Sequence, residues 1–112
     1  MRLTQLILAA VLTTWVTSPA RAADASGTIS VIGAGLKSCG WWTQMRREQV
    51  DGPAGQWVFG YLTAIADWVP AANPLSGLDA DAVDAWMDNY CRSNPLNQLI
   101  DAGRTFYGEH PK

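Results

Sequence analysis

Residues 79–91 of the chain read DADAVDAWMDNYC and carry its clearest helical period. The apolar residues recur at spacings of three, one, three and one and are Val83, Trp86, Met87, Tyr90 and Cys91. That spacing places them on one side of an α-helix, which needs a core to cover it. Asp79 is placed to cap the N-terminus, and Leu78 and Val83 are placed for a hydrophobic staple. We therefore predict a capped helix whose cysteine faces the core.

Three further apolar stripes predict three more helices. The stripe over residues 36–48 consists of Leu36, Cys39, Trp42 and Met45. The stripe over residues 54–68 consists of Trp57, Val58, Tyr61, Leu62, Ile65 and Trp68. The last helix is predicted to begin with Asn94 as N-cap and Pro95 as first residue, and its stripe consists of Leu96, Leu99, Ile100 and Phe106. The turn at 51–53 and the loop at 70–77 separate the helices. The pattern predicts an all-α, compact four-helix domain.

The first 22 residues have the three parts of a secretory signal peptide. These parts are basic Arg2, an apolar run over residues 6–16, and an A-x-A cleavage site at residues 20–22. Cleavage leaves a flexible leader at 23–35, a helical domain at 36–107 and a disordered tail at 108–112. No apolar segment is long enough to span a bilayer. We therefore expect a periplasmic or secreted protein with no membrane span in the mature chain.

The two cysteines, Cys39 and Cys91, lie in the exported part of the chain. In an oxidising compartment they are predicted to form one disulfide that staples the helices. In the chain-entropy model this loop closure contributes roughly 4 kcal/mol, an upper figure. The alternatives are a metal site and a reactive thiol, but two cysteines make an incomplete zinc site and no C-x-x-C is present.

Charge and candidate catalytic residues favour a non-enzymatic protein. The mature chain has six basic against ten acidic residues, which disfavours nucleic acid as a partner. His110 is the only histidine and lies on the predicted tail. The aspartates of the third helix fit a solvated face better than a calcium site or a carboxylate pair; they are Asp79, Asp81, Asp84 and Asp88. We predict no metal and no cofactor, and glycan cleavage by Asp84 or Asp88 stays as an alternative.

Five of the six tryptophans remain after export, and two of them are adjacent. Trp41 and Trp42 point about 100° apart on a helix, so one of the two is expected near the surface. Exposed aromatic residues mark protein interfaces and sugar-stacking sites. Trp41 and Trp42 are therefore interface candidates, with packing at the edge of the core as the alternative.

Four segments carry a resemblance to known proteins: residues 35–40 (GLKSCG), 56–62 (QWVFGYL), 86–91 (WMDNYC) and 94–96 (NPL). Over residues 35–106 the chain resembles small exported bacterial proteins of two families. These are the HdeA-type acid-stress chaperones and the immunity proteins that neutralise type VI secretion amidase effectors. Both are similar in being helical periplasmic domains in which a cysteine pair joins an early helix to a later one.

The resemblance implies that the chain acts on another protein without catalysis. Lysine-rich surfaces are typical of the chaperones, whereas Lys37 and Lys112 are the only lysines here. Our first hypothesis is thus an immunity-like binding protein whose partner is another protein. The alternative is an acid-stress chaperone, because ten acidic side chains lose their charge near pH ~4.

Overall fold

Four α-helices follow one another in the computed structural model, which describes residues 23–112: α1 (Cys39–Arg47), α2 (Gly52–Trp68), α3 (Ala80–Ser93) and α4 (Leu99–Glu109). A 3₁₀ helix, Gly33–Leu36, precedes them. The predicted signal peptide, residues 1–22, lies outside the described residues. Within residues 23–112 there is no strand, only an isolated antiparallel bridge between Ser38 and Gln98. The all-α, four-helix prediction is confirmed.

The core forms where two helix pairs meet. α1 packs against α3, α2 packs against α4 and the 3₁₀ helix, and α3 contacts α4. All four α-helices contribute to one buried cluster, which consists of Cys39, Trp42, Ala54, Val58, Leu62, Val83, Met87, Cys91, Leu99, Ala102 and Phe106. Burying a large apolar side chain of this kind contributes roughly 1.5–3 kcal/mol. The buried members of the four predicted stripes thus cover one another.

The two cysteines of the predicted pair are joined by a disulfide. Cys39 is the first residue of α1, Cys91 lies in the last turn of α3, and both are buried. Their Cα atoms are 4.7 Å apart, although 52 positions separate them in the sequence. The start of α1 is also tied to α4, because the Cys39 N–H donates to Asn97 O at 2.7 Å and the Leu99 N–H donates to Lys37 O at 2.9 Å.

The predicted cap of α3 is confirmed, but the predicted start of the last helix is wrong. The Asp79 carboxylate accepts a hydrogen bond from the Ala82 N–H at 2.8 Å. Asn94 ends α3 instead of beginning α4: its backbone N–H and its Nδ2 both donate to Tyr90 O, at 3.0 and 2.9 Å. The chain then turns, and α4 begins only at Leu99. Leu96, expected on the apolar stripe, lies in this turn with 90% of its surface exposed.

The two ends of the domain extend beyond the predicted boundaries. At the N-terminal end, Ala34 of the leader packs against the core cluster, and the Trp57 indole N–H donates to Ile32 O at 2.9 Å. At the C-terminal end α4 continues to Glu109, and His110 stacks on Phe106 with ring centroids 4.3 Å apart. The segment flanking each boundary is therefore anchored by an aromatic ring.

No helix within residues 23–112 is both long and apolar enough to cross a membrane.

Candidate functional site

The adjacent tryptophans of α1 have different environments. Trp42 is fully buried, and its indole N–H donates to Asp88 Oδ1 of α3 at 2.8 Å. Of the two interface candidates, Trp42 is therefore the one that lies in the core, because its ring faces α3 and has no free surface. Trp41 is half-buried, and the Lys37 Nζ lies 5.8 Å from its ring centroid. Trp41 stays an interface candidate, at the edge of the core.

Arg46 of α1 is the centre of a cluster of charged side chains between α1 and α3. Its Nε and Nη2 donate to the two carboxylate oxygens of Asp88, at 2.9 and 2.8 Å. Its Nη1 donates to Asp51 at 3.1 Å and to Asp84 Oδ2 at 3.4 Å. The side chains of Asp84 and Asp88 are only 17% and 32% exposed. The prediction that these two aspartates lie on a solvated face is wrong, because the helix face that carries them packs against α1.

The two aspartates differ in their electrostatics. Burial raises the pKa of Asp84, against the opposing effect of Arg46. One of its oxygens, Oδ1, is buried and has no hydrogen-bond partner among the described residues. Burial also acts to raise the pKa of Asp88, but the hydrogen bonds from Arg46 and Trp42 lower it by more. The pKa of Asp88 is therefore lowered. The hydrogen bond to Asp88 contributes most to raising the pKa of Arg46.

Within this cluster, Asp88 is suited to joining helices rather than to acid–base or nucleophilic chemistry. Asp88 uses both oxygens to accept hydrogen bonds from Arg46 and Trp42, so neither oxygen is free to take a proton from a substrate. His110 lies elsewhere on the chain, where its Nδ1 is 3.0 Å from Phe106 O at the end of α4. In the part of the chain that the structure describes, no three His, Cys, Asp or Glu side chains are placed to hold a metal ion.

The outer side of α2 carries the most exposed aromatic ring of the domain. Trp68, the last residue of α2, is 82% exposed. Beside it runs an open groove of about 680 Å³, lined by Gln56, Phe59, Gly60, Thr63, Ala64, Ala66, Asp67 and Trp68. The groove exists because α2 packs on α4 and the 3₁₀ helix through its other side. Gly60 and Ala64 have no long side chain to fill the space.

A second, smaller groove adjoins the first and shares Phe59 as a wall. Its volume is about 130 Å³, and it is lined by Phe59, Leu75, Leu78, Asp79, Ala80 and Val83. Leu78 and Val83, the residues of the predicted staple, both line this groove. We refer to the residues that line the two grooves together as the Phe59 face.

This face could not be predicted from the stripes, because Trp68 continues the apolar stripe of α2, three residues after Ile65. The feature of the sequence that could have indicated an exposed Trp68 is its position at the end of the helix. Val69 is its C-cap and Ala71 takes a left-handed conformation with φ 61°, so the chain turns away directly after Trp68. Trp68 is consequently left 82% exposed at the end of α2.

No protein-family model, no curated protein and no solved structure matches this chain.

Proposed function

We propose that this chain is a non-enzymatic protein of the periplasm or the extracellular space that binds another protein through the Phe59 face. The observation that carries the proposal is the 82% exposed indole of Trp68 beside an open groove. Tryptophan is, with tyrosine and arginine, enriched among the side chains that dominate binding energy at protein interfaces. Leaving so large an apolar ring in water is unfavourable, and a partner that covers it removes this cost.

The buried disulfide supports the proposed location. Disulfides form and persist in oxidising compartments and are rare in the cytosol. The pairing of Cys39 with Cys91 fixes α1 to α3 covalently, and such a rigid scaffold loses less conformational entropy on binding than a mobile one. By the resemblance to immunity proteins, binding would neutralise the activity of the partner.

The proposal is tested by affinity capture with matched variants. The wild-type chain, Trp68→Ala, Trp41→Ala and Leu96→Ala are each expressed with their signal and recovered from the periplasm with whatever is bound. Quantitative mass spectrometry then compares the captured proteins. We expect one reproducible partner that Trp68→Ala loses at least tenfold, about 1.4 kcal/mol.

Leu96→Ala is the matched control, because Leu96 is 90% exposed but lines neither groove. It should capture the partner as the wild type does. If Trp68→Ala and Leu96→Ala retain the partner equally while Trp41→Ala loses it, the interface lies on α1. Equal capture by all four proteins contradicts binding through either tryptophan.

The Arg46 cluster favours a second candidate function, an acid-stress chaperone. Strong acid protonates Asp88 and so removes the charge that ties it to Arg46, which loosens the contact between α1 and α3. This candidate predicts protection of an aggregating client protein near pH ~2–3 with no protection at neutral pH. It also predicts that near-ultraviolet circular dichroism is lost over the same pH range. Tertiary structure that persists while protection is absent at low pH rejects it.

A further inference from the structure

We propose that the Phe59 face receives an amphipathic helix of the partner, with apolar residues on one side and basic residues on the other. The inference rests on the proposed function, since it names the chemistry of the partner at the same face. Three features of the face carry it: its shape, the sign of the charges that line it, and the end of α2.

The shape of the face fits side chains projecting from a helix. From Gln56 to Trp68 the outer side of α2 is about 18 Å long, because each helical residue rises about 1.5 Å. Over that length a partner helix presents apolar side chains at positions i, i+3 or i+4, and i+7. The ring of Phe59 divides the face into a larger and a smaller groove, so successive anchors can enter on either side of it. Binding by strand addition needs an open sheet edge, and residues 23–112 contain no strand.

The charges of the face are acidic. Asp67 lines the larger groove and Asp79 the smaller one, and neither groove has a basic lining residue. The processed chain carries six basic and ten acidic side chains, so its overall field has the same sign. Basic residues beside the apolar anchors are therefore attracted, and an acidic partner is repelled. A second copy of this chain would place Asp67 against an equally acidic surface.

The C-terminal end of α2 adds a favourable position for a cation. The last turn of α2 contains no basic residue, so no side chain of that turn offsets the partial negative charge of the helix C-terminus. The exposed ring of Trp68 lies at the same end and attracts a guanidinium or ammonium group through its π face. An arginine or lysine one turn from the apolar anchors of the partner would meet Asp67, the helix end and the indole together.

The test uses three labelled synthetic peptides of about 18 residues, enough to span the face as a helix. The first has leucines at i, i+3, i+4 and i+7 spacing with lysine and arginine at the other positions. The second keeps the leucines and replaces the basic residues by glutamate. The third has the composition of the first in an order without helical amphipathicity. Binding to the full processed chain is measured by fluorescence anisotropy at about 50 and about 200 mM salt.

We expect the first peptide to bind at least tenfold more tightly than the other two and to weaken at the higher salt. Trp68→Ala should weaken its binding at least tenfold, and Asp67→Asn about threefold with a smaller salt dependence. Leu96→Ala should leave it unchanged. Equal affinity for the basic and acidic peptides, or unchanged binding by Trp68→Ala, would overturn the inference.

Three outcomes separate this inference from the proposed function. If affinity capture recovers a partner that depends on Trp68 while none of the peptides binds, the partner is not an amphipathic basic helix and only the inference fails. If sedimentation shows that the wild-type chain dimerises and Trp68→Ala is a monomer, a second copy occupies the face and the inference is wrong. If no partner depends on Trp68 in the capture experiment, the proposed function itself fails.

Discussion

Asp84 and Asp88 offer a matched pair of substitutions with opposite expected effects on stability. They lie one turn apart on α3 and both contact Arg46. Asp88 accepts three hydrogen bonds of 2.8–2.9 Å from Arg46 and Trp42. Asp84 has one contact with Arg46 at 3.4 Å and one buried oxygen that no described group satisfies. We therefore expect Asp88→Asn to destabilise the protein, whereas Asp84→Asn is neutral or stabilising.

The magnitudes follow from these contacts. Hydrogen bonds to charged groups contribute about 1.5–3 kcal/mol. The Asp88 side chain is partly exposed, solvent screens its charge, and asparagine keeps one acceptor oxygen, so we expect a loss of about 1–2 kcal/mol. For a domain of this size that lowers Tm by about 5–10 °C. Asp84→Asn removes the cost of burying a charge and leaves Arg46 paired with Asp88 and Asp51, so the expected change is a gain of about 0–1 kcal/mol.

The pH dependence of the two variants should also differ. The pKa of Asp88 is lowered by folding, so its stabilising contribution is complete above the ordinary aspartate value of 3.8 and is lost as pH falls through the lower folded value. The pKa of Asp84 is raised in the folded protein, so at a pH above that raised pKa its ionised form lowers the stability. This loss of stability disappears as the pH falls from the raised pKa towards the ordinary value of 3.8. The advantage of Asp84→Asn over the wild type should therefore vanish at a higher pH than the disadvantage of Asp88→Asn.

Urea unfolding followed by tryptophan fluorescence, at about pH 7, 5 and 3, measures both differences. Equal destabilisation by the two variants at neutral pH would refute the reasoning, because it would mean that both carboxylates are equally satisfied. A loss above about 1 kcal/mol for Asp84→Asn with no change for Asp88→Asn would reverse the roles assigned to them.

Two further predictions concern the scaffold. Gly103→Ala should cost about 1–3 kcal/mol of unfolding free energy, because the added Cβ would lie 2.7 Å from a Tyr61 ring carbon. In the control Gly108→Ala, on the same helix, the added Cβ meets nothing within 4 Å, so this change should be neutral or stabilise by up to about 1 kcal/mol. Similar urea midpoints for the two variants would contradict this packing. Replacing Cys39 and Cys91 together by serine should lower the free energy of unfolding by about 2–4 kcal/mol. The native wild-type protein should show no reactive thiol. Full thiol labelling without reductant would therefore disprove the pairing.

The helices could be predicted where several local signals agree. For α3 the cap at Asp79, the spacing from Val83 to Cys91 and the charge of the first turn all indicate the same start, and the structure has it there. Asn94-Pro95 carries a single local signal that suits two roles. Asparagine can cap the start of a helix or donate hydrogen bonds to the carbonyls at the end of one. Here the Asn94 side chain donates to Tyr90 O, at the end of α3. When a residue can play either role, its sequence neighbours alone do not determine which helix end it caps.

The candidate sites could not be predicted because they depend on distant residues. Asp88 contacts Arg46 across 42 positions of sequence and Asp84 contacts it across 38. A count of charges along α3 cannot show that its acidic side faces an arginine on α1. For Trp68 the sequence pattern predicts burial, whereas the residue is exposed. Its spacing is that of a core residue, and only the turn of the chain at Val69 to Ala71 leaves it uncovered.

The bonds that join α1 to α3 and the larger groove of the Phe59 face lie on different helix surfaces. The disulfide, the Trp42 to Asp88 hydrogen bond and the Arg46 cluster all join α1 to α3. α2 instead points Val58 and Leu62 into the core and keeps Trp68 exposed on its outer side. Because the outer side carries none of the interhelical bonds, a partner can cover it without breaking any of them. Since α1 and α3 are also joined covalently, little of the gain from covering Trp68 would be lost in ordering the scaffold.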